Sequence, residues 1–598
     1  MLPYLSNLPP QSSMAVDSFG GINVRDDISM GEYVSCSDID PSSYPVISSR
    51  KKRTLHSECD GIINGVGDFD GFFYTYYKEN PNEIYLRFKD EDYSYKNYSE
   101  SSDYTCRRQF ANLEKAIMII PDNVVFHTDT KEFEKVNIRQ AINSSTMASK
   151  FSSEGLVTAN FDYKTIKEIG YMNGSSIYAN SRSYTYAGSN KIFYTLSFNS
   201  AFKEGDVVKI KADVVAPNQT ITSAYTKFVE KMKNEGFTAK IKSIVSKTHS
   251  SKNGTMTDIT ELIFADGSVY TEGYSGLYFT SITIERAMPE VRCITSFNNR
   301  IWAVGGANIY SSKLACPTEW NDFSVDSIGT VPSASFATSA GTEGDFTAII
   351  PHGNYIFAFK ENHIHKIYGD TPDEYRVTGI EAPGCIKNSF TLAVCGLYLI
   401  YASNDGICIL REGYPKIISK KIGKINPICA ASTGNLYYLL CSENNGRVIY
   451  VYDMEHDLWT MQSCSKNADF LCSDGKGICI AEGGRLIYLT EKNGDEYERN
   501  VRWRFRLRFD RSVFGDNTAI RAVAKISLGK NASYTAYVIY DDDTRGAVVG
   551  ACYDETHSGN SILRFPLKRD SGFSVEFKGV GDFTMKSIKF IYYKPYQE

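Results

Sequence analysis

The chain has 598 residues, a net charge of −5 and an aromatic content of 13%, led by 41 Tyr. This length is too great for one ordinary core, and the small net charge gives no global electrostatic case for nucleic-acid binding. Tyr and Phe favour pleated strands, so the composition predicts a mainly β protein, with an aromatic sugar-binding surface as the alternative.

The cysteines and the N-terminus bear on the compartment. Ten of the 14 Cys lie between Cys293 and Cys479, mostly alone inside apolar runs, and no Cys/His spacing matches a zinc site. This pattern predicts buried thiols and assembly in a reducing compartment.

The N-terminus lacks the basic start and apolar core of a signal peptide, and no apolar run reaches the roughly 18 residues of a membrane span. We therefore expect a protein that is made in a cytoplasm and does not span a membrane.

Residues 1–56 are predicted to be an irregular N-terminal arm. Ser-rich stretches are typical of loops, and prolines interrupt any regular element. The prolines are Pro3, Pro9, Pro10, Pro41 and Pro45. The segment ends in a basic run from Arg50 to Arg53. An arm of this kind either stays disordered or lies along a neighbouring subunit.

A hairpin pattern then repeats along the chain: an apolar run, a polar turn rich in Gly, Asn, Asp or Lys, and a second apolar run. The units begin at Gly71, Lys115, Asn299, Asn354, Gly396, Asn435 and Lys476. Apart from one long gap they recur roughly every 40–55 residues, a period typical of propeller blades. We predict a six- or seven-bladed β-propeller, with its first blades at residues 57–139 and the remaining blades at 291–495. The first and last units would close the ring together, which avoids an open sheet edge.

The long gap, residues 140–290, is predicted to be a small inserted α+β domain. It holds strand-like runs and one helical segment that begins at Ser223. Apolar residues of this segment share one face at i, i+3, i+4 and i+7 spacing: Tyr225, Phe228, Val229 and Met232. Propeller loops tolerate such insertions because the entropy of loop closure grows slowly with loop length.

Residues 496–598 are predicted to form a C-terminal β-sandwich-like region. Strict alternation places apolar side chains on one face of a strand and four arginines on the other: Arg502, Arg504, Arg506 and Arg508. This ladder is a candidate contact with a polyanion, either as the wall of a DNA channel or as a charged subunit interface. The alternative is a solvated face that pairs with acidic neighbours such as Asp541, Asp542 and Asp543.

No catalytic, cofactor-binding or metal-binding residues are predicted. His363 and His365 share one face of a strand, but the sequence offers no third ligand, so we expect a surface-facing pair. No nucleophile with its base and no pair of catalytic carboxylates stands out. We therefore expect a protein that is not an enzyme and needs no cofactor, although distant propeller loops can combine into a site that motifs do not reveal.

The block at residues 17–53 resembles the N-terminus of phage tail and neck proteins, in which a Phe-Gly-Gly-Ile-Asn start leads to a strand that ends in Arg. The matching positions are Phe19, Gly20, Gly21, Ile22, Asn23, Gly31, Asp38 and Arg50. The run after Arg50 departs from the family, whose members commonly carry Gly there. The block from Asn299 to Pro372 also resembles the propeller repeats of phage stabilisation and tail-nozzle proteins.

The resemblance covers about residues 17–60 and 290–490. It implies a structural virion protein that forms a homo-oligomeric ring at the head–tail junction, as a connector, or at the tail nozzle; about six copies would suit the symmetry of a tail. Such a ring gives DNA a channel during ejection and docks other neck and tail proteins without catalysis. It is assembled in the cytoplasm of the host bacterium.

The resemblance also implies that part of the N-terminal segment is an assembly arm that contacts a neighbouring subunit. Its candidate residues are Phe19, Gly20, Gly21, Ile22, Asn23 and Arg50. Two alternatives to the virion protein stay open from the residues alone: a glycan-binding or glycan-cleaving propeller, and an interaction scaffold that acts as a monomer.

Overall fold

The protein is mainly β and is built from many small antiparallel sheets. The computed structural model describes residues 11–79, 83–143, 147–152, 155–160, 172–173, 176–179, 182–185, 191–195, 202–215, 222–250, 256–264, 277–323, 333–411, 413–443, 446–489, 495–509, 518–541, 545–553, 556–566 and 572–593. Among these residues, no helix is both long and apolar enough to cross a membrane.

Five strands lie in the N-terminal segment: β1 (Gln11–Val16), β2 (Tyr33–Ser37), β3 (Ile39–Asp40), β4 (Ile47–Ser49) and β5 (Thr54–Glu58). The prediction of an irregular arm over residues 1–56 is therefore wrong for the described part of that arm. Its residues 1–10 lie outside the described residues. The strands escape sequence analysis because they are short and mostly Ser-containing, and because β1, β2 and β5 have partners more than 400 residues away in sequence.

Two four-stranded sheets follow in the order of the chain. Sheet 1 contains β6 (Ile62–Asp68), β7 (Phe72–Lys78), β8 (Glu83–Phe88) and β9 (Glu91–Ser94). Sheet 2 contains β10 (Gln109–Leu113), β11 (Ala116–Ile120), β12 (Val124–His127) and β13 (Glu132–Lys135). In each sheet every strand pairs with the next, which makes an antiparallel meander.

The next strands belong to sheets of a different kind. They are β14 (Ile138–Asn143), β15 (Met147–Ser152), β16 (Gly155–Asn160), β17 (Met172–Asn173), β18 (Ser176–Ala179), β19 (Arg182–Thr185), β20 (Lys191–Thr195), β21 (Val207–Val215), β22 (Phe237–Ser250), β23 (Met256–Phe264) and β24 (Leu277–Arg286). One sheet has eight strands. Seven of them lie in the order β16-β15-β24-β21-β22-β23-β20, and β14 also pairs with β24. A second, small sheet contains β17, β18 and β19.

Helix α1 (Ser223–Asn234) packs beside β21 and confirms the predicted helical segment. The Thr222 side chain caps its first turn by accepting a hydrogen bond from the backbone N–H of Tyr225. Tyr225, Phe228 and Met232 are buried along one face, as the i, i+3, i+7 spacing predicts.

The meander sheets resume at Cys293. Sheet 3 contains β25 (Cys293–Phe297), β26 (Arg300–Gly305), β27 (Asn308–Ser311) and β28 (Phe336–Ser339). Sheet 4 contains β29 (Ala348–His352), β30 (Tyr355–Phe359), β31 (His363–Tyr368) and β32 (Arg376–Glu381). Sheet 5 contains β33 (Ala393–Cys395), β34 (Tyr398–Ser403), β35 (Gly406–Arg411) and β36 (Tyr414–Ile417).

Two further sheets complete this series. Sheet 6 contains β37 (Asn426–Thr433), β38 (Leu436–Glu443), β39 (Gly446–Asp453) and β40 (Leu458–Ser463). Sheet 7 contains β41 (Ala468–Ser473), β42 (Ile478–Glu482), β43 (Arg485–Tyr488) and the short β44 (Asp495–Glu496). In sheet 7 the N-terminal strand β5 lies between β43 and β44, so the beginning of the chain supplies the outer part of the last sheet.

Apolar clusters connect sheets 1 to 7 in a cyclic series, which we call the ring. Each sheet shares a buried cluster with the one before it and the one after it; for example, Phe73 of sheet 1 packs with Ile117 of sheet 2. The ring closes where Tyr74 of sheet 1 meets Ala481 of sheet 7 in a further cluster. This arrangement is propeller-like, because no sheet in it could bury both faces alone.

The C-terminal strands form two sheets that incorporate the N-terminal strands. The strands are β45 (Arg502–Phe509), β46 (Thr518–Leu528), β47 (Ser533–Tyr540), β48 (Ala547–Cys552), β49 (Ser558–Arg564), β50 (Phe573–Val580) and β51 (Phe583–Tyr593). The front sheet has the order β2-β45-β50-β47-β48, and the back sheet has the order β3-β4-β51-β46-β49 with β1 also on β51. Their inner faces and the adjoining sides of sheets 5 and 6 share one apolar core.

Candidate functional site

Strand β45 divides its side chains between core and surface. Trp503, Phe505, Leu507 and Phe509 are buried between the front and back sheets, and the four intervening arginines point outward. Burial of an aromatic or leucine side chain contributes roughly 1.5–3 kcal/mol each, so the alternation sets which face of the strand points inward. The predicted alternation is confirmed.

Strand register extends the arginine ladder into a two-dimensional surface. One row across the front sheet is Ser37, Arg504, Lys578, Thr535 and Ala551. The next row is Ser35, Arg506, Glu576, Tyr537 and Val548. We call these two rows, together with Arg502, Arg508 and Tyr553, the arginine face. Neighbouring positions in a row are about 4.8 Å apart and successive arginines about 6.7 Å apart.

The arginines differ in exposure along the strand. Arg502 and Arg504 are exposed, whereas Arg506 and Arg508 are half-buried. Within the described part of the chain, neither Arg502 nor Arg504 has an ion-pair partner. The alternative is that acidic neighbours pair with the ladder. Asp541 does not support it, because this residue is exposed and forms no ion pair with Arg502 or Arg504. Asp542 and Asp543 lie outside the described residues.

A shallow depression of about 460 Å³ lies at the exposed end of the ladder. Arg502, Arg504 and Lys578 line it together with the hydroxyl-bearing Ser533 and Thr535. Guanidinium groups donate paired hydrogen bonds that match carboxylate or phosphate oxygens, so the depression suits an oxyanion. Lys578 already contacts a carboxylate, since its Nζ lies 2.7 Å from Oε2 of Glu576.

Apolar side chains occupy the other half of the arginine face. Val548 is 61% exposed and Tyr553 is 64% exposed. The Tyr553 hydroxyl lies 3.3 Å from the hydroxyl of Thr535, which holds the ring beside the cationic row. Sequence analysis missed this half of the face, because only the strand register places Val548 on the same face of the sheet as the arginines, three strands away from them.

One sequence signal could have drawn attention to the C-terminal region. Residues 501–598 carry 16 Lys and Arg against 11 Asp and Glu, whereas the whole chain has a net charge of −5. The basic excess is therefore confined to the part of the chain that holds the ladder, and the average over the chain conceals it.

The residues predicted for an assembly arm lie inside the chain's own core. Phe19, Ile22 and Asn23 are buried, and Gly20 is half-buried. The backbone N–H of Ile22 donates to the Trp459 carbonyl at 2.7 Å. These residues join the front and back sheets to sheet 6, so in this structure they are not available to a neighbouring subunit.

Gly21 explains why this motif needs glycine. Its φ of +78° is a left-handed conformation, and an added Cβ would lie 2.6 Å from the Trp459 carbonyl oxygen. Any larger residue would push the motif away from the edge of sheet 6.

Arg50 forms a buried ion-pair group between three parts of the chain. Its Nε donates to Oδ1 of Asp38 at 2.5 Å, and its two terminal nitrogens donate to both carboxylate oxygens of Glu498 at 2.7 and 2.9 Å. Asp38 also accepts hydrogen bonds from the backbone N–H and hydroxyl of Ser463, at the end of β40. Burial tends to lower the pKa of Arg50, but the two carboxylates raise it overall. The sequence pointed to Arg50 but not to these partners.

The histidine pair does not face the surface as expected. His365 is buried, its Nε2 lies 3.0 Å from the hydroxyl of Thr342, and its ring packs edge-on against Phe346. Burial and the nearby charge of Lys360 lower the pKa of His365 to about 4. The residues that the structure describes contain no group of three or more side chains placed to hold a metal ion.

Comparison with known proteins gives little. No protein-family model matches the chain, and no curated protein matches it. Similar solved structures include the exo-β-1,3-galactanase of Phanerochaete chrysosporium with galactose, at 11% identity and a TM-score of 0.20 over 51% of this chain and 97% of that chain. Two variants of that enzyme with β-1,3-galactotriose give 10% identity and TM-scores of 0.20 and 0.21, over 49% and 50% of this chain and 94% and 96% of theirs. Similarity at this level carries no argument about function.

Proposed function

We propose that this protein is a structural component of a tailed-phage virion. Identical copies would form a ring at the head–tail junction or at the tail nozzle, give DNA a channel and dock other neck or tail proteins. The protein would act without catalysis and without a cofactor. It would be assembled in the cytoplasm of the host bacterium.

We further propose that sheets 1 to 7 are the blades of a seven-bladed propeller. Strand β5 would close the ring, and residues 138–286 would be a domain inserted between the second and third blades. The support is the strand order of the meander sheets and the apolar clusters that join each sheet to the next.

The observation that carries the functional proposal is the structural role of the motif shared with phage tail and neck proteins. Phe19, Gly21, Asp38 and Arg50 all lie where the two C-terminal sheets meet the ring. A structural scaffold requires a motif that fixes one module on another, whereas an enzyme would be expected to concentrate its specific residues in a cleft.

The proposed mechanism is geometric. A closed ring of sheets has no open inner edge and resists bending, so it can hold the wall of a channel at constant width. Identical subunits close into a ring through two different surfaces on each copy. The arginine face is the candidate for a further, charged surface that docks another virion protein. Its exposed arginines offer donors to a partner without an ion pair first having to break.

The test is the mass of the unmodified protein in solution, followed by negative-stain imaging. We expect particles of about six copies with a central channel, in keeping with tail symmetry. The same preparation is assayed for binding and hydrolysis of a panel of oligosaccharides, on which we expect no activity.

Two results would contradict the proposal. If the protein stays monomeric at all concentrations and is not detected in purified virions, the monomeric interaction scaffold is favoured. Specific binding or cleavage of an oligosaccharide would favour the glycan-directed propeller.

A further inference from the structure

The arginine face carries two chemistries side by side on one rigid sheet. Arg502, Arg504 and Lys578 form its cationic half, and Val548 with Tyr553 forms its exposed apolar half. Arg502, Arg504, Lys578 and Val548 lie on strands that are connected through β50 and β47, so the sheet fixes their spacing. Tyr553 directly follows β48, and its hydroxyl contacts Thr535 of β47. A ligand that covers the whole face must therefore match both halves at once.

A nucleic-acid duplex, whose bases are paired and stacked inside, matches only the cationic half. Its backbone offers phosphates along its whole length, and an exposed valine gains nothing against a phosphate. Protein interfaces, in contrast, are enriched in Arg and Tyr and place apolar contacts beside charged ones. The composition of the arginine face is that of a protein-docking surface.

We propose that the arginine face binds an acidic and apolar segment of another polypeptide. Carboxylates of the segment would pair with Arg502 and Arg504, and an apolar side chain would cover Val548 and Tyr553. The distance across the strands from β45 to β48 is about 14 Å, which an extended segment of about five residues spans. The inference rests on the proposed function only in taking the partner to be another virion subunit.

The size of the face indicates how strong one such contact is. Five strands and eight residues of length give an area on the order of 500 Å², below the roughly 800 Å² per partner of a standard interface. A single contact is therefore weak, and repetition around a ring would strengthen it through avidity. This suits docking of a repeated partner onto an assembled ring.

The test compares three fluorescent probes on the full-length protein by anisotropy at physiological salt. The probes are a random Glu–Tyr copolymer, poly-glutamate of the same length and duplex DNA of similar charge. We expect the copolymer to bind about tenfold more tightly than poly-glutamate, because it alone fills both halves of the face. Duplex DNA should bind more weakly than the copolymer.

Variants then assign the binding to the face. The pair Arg502→Ala with Arg504→Ala should weaken copolymer binding at least tenfold, and Val548→Ser with Tyr553→Ser about fivefold. The matched control is Arg521→Ala with Arg564→Ala, two exposed arginines that face each other on the back sheet. It removes the same charge and should change binding less than about twofold.

Three results would overturn the inference. Equal losses in the control pair would mean diffuse attraction to a basic region. DNA binding as tight as copolymer binding would assign the face to nucleic acid, and no loss in the Val548 and Tyr553 variant would remove the apolar half from the site. Because the copy number of the unmodified protein is measured separately, any of these results in a protein that still forms rings leaves the proposed function standing.

Discussion

Arg50 illustrates how single residues hold the modules together. Its guanidinium forms ion pairs with two carboxylates, Asp38 from the same N-terminal segment and Glu498 from the connection that precedes β45. A buried ion pair of this kind adds little net stability compared with apolar packing, but it is costly to break from one side. Its value to the protein is the unique alignment that it imposes on three distant parts of the chain.

Replacing this arginine should therefore destabilise the protein strongly. In Arg50→Ala the carboxylate of Asp38 stays buried without its cation, and we expect a loss of about 3–5 kcal/mol in the free energy of unfolding. The measurement is denaturant unfolding followed by tryptophan fluorescence. The control is Arg25→Ala, because Arg25 pairs with Asp27 at the surface and should contribute only about 0–1 kcal/mol. Similar losses in the two variants would contradict this account.

At the scale of elements, strand β5 has the greatest effect on the architecture. It lies between β43 and β44, and without it the outer part of sheet 7 would lose its central strand. The segment that continues from β5 leads directly into sheet 1, so one strand links the end of the ring to its beginning. Closing a ring with the two ends of a chain removes an exposed edge that could pair with another molecule.

A proline within β5 tests this closure. Leu55 lies opposite both Ile487 and Asp495, and Leu55→Pro removes its backbone N–H from a strand that has partners on both sides. We expect a loss of about 3 kcal/mol or more and faster proteolysis of the N-terminal segment. Leu55→Val, which keeps the N–H and suits a strand, serves as the control. If both variants resist protease and heat equally, β5 does not close the ring.

A second element-scale contact joins sheet 2 to the strands that follow it. Glu134 on β13 lies 2.8 Å from Nζ of Lys203 and 3.3 Å from a terminal nitrogen of Arg286. Burial favours the neutral acid, but hydrogen bonds from His127 and Lys203 and the charges of Lys203 and Arg286 prevail and lower the pKa of Glu134 to about 2.

The lowered pKa predicts how stability depends on pH. Because the folded state holds the proton less tightly than the unfolded state, Glu134 stabilises the protein above the ordinary glutamate pKa of about 4.3, and this contribution is lost as the pH falls towards 2. Glu134→Gln should remove on the order of 3 kcal/mol at neutral pH and flatten the fall of stability between about pH 4.5 and pH 2. Thermal unfolding across this range is the measurement. Glu132→Gln, at an exposed position of the same strand, should keep the original pH profile.

At the scale of the whole molecule, the thiols report on the packing of the ring. All 14 cysteines are free; eight are buried and six are partly exposed. Burial raises the pKa of Cys36, Cys385 and Cys395 to about 12, so almost none of these thiols is ionised at neutral pH. They act as small apolar residues in the clusters between sheets.

Thiol titration should separate the two classes. We expect no more than six thiols to react with an aromatic disulfide reagent in the folded protein, and all 14 to react once it is unfolded without reductant. The folded value reports the packing of the clusters between the sheets. Fewer than 14 after unfolding would mean that some cysteines form disulfides, contrary to this structure.

The sequence by itself determined the local periodicities of this protein. The alternation of β45, the buried face of α1 and the repeated hairpins each depend on residues within about a dozen positions of one another, so composition and spacing reveal them. The mainly β composition follows from the same local preferences. These features are confirmed because side-chain direction within a helix or strand is set by the backbone itself.

Only the tertiary structure decided which distant segments pair. Strands β1, β2 and β5 find partners more than 400 residues away, and nothing in their Ser-rich sequence identifies those partners. The tertiary structure also places Val548 on the face of the sheet that carries the arginines, buries His365 and sets Arg50 between Asp38 and Glu498. Register between distant strands is set by the apolar faces that must be buried together, and this is a property of the assembled core and not of any local window.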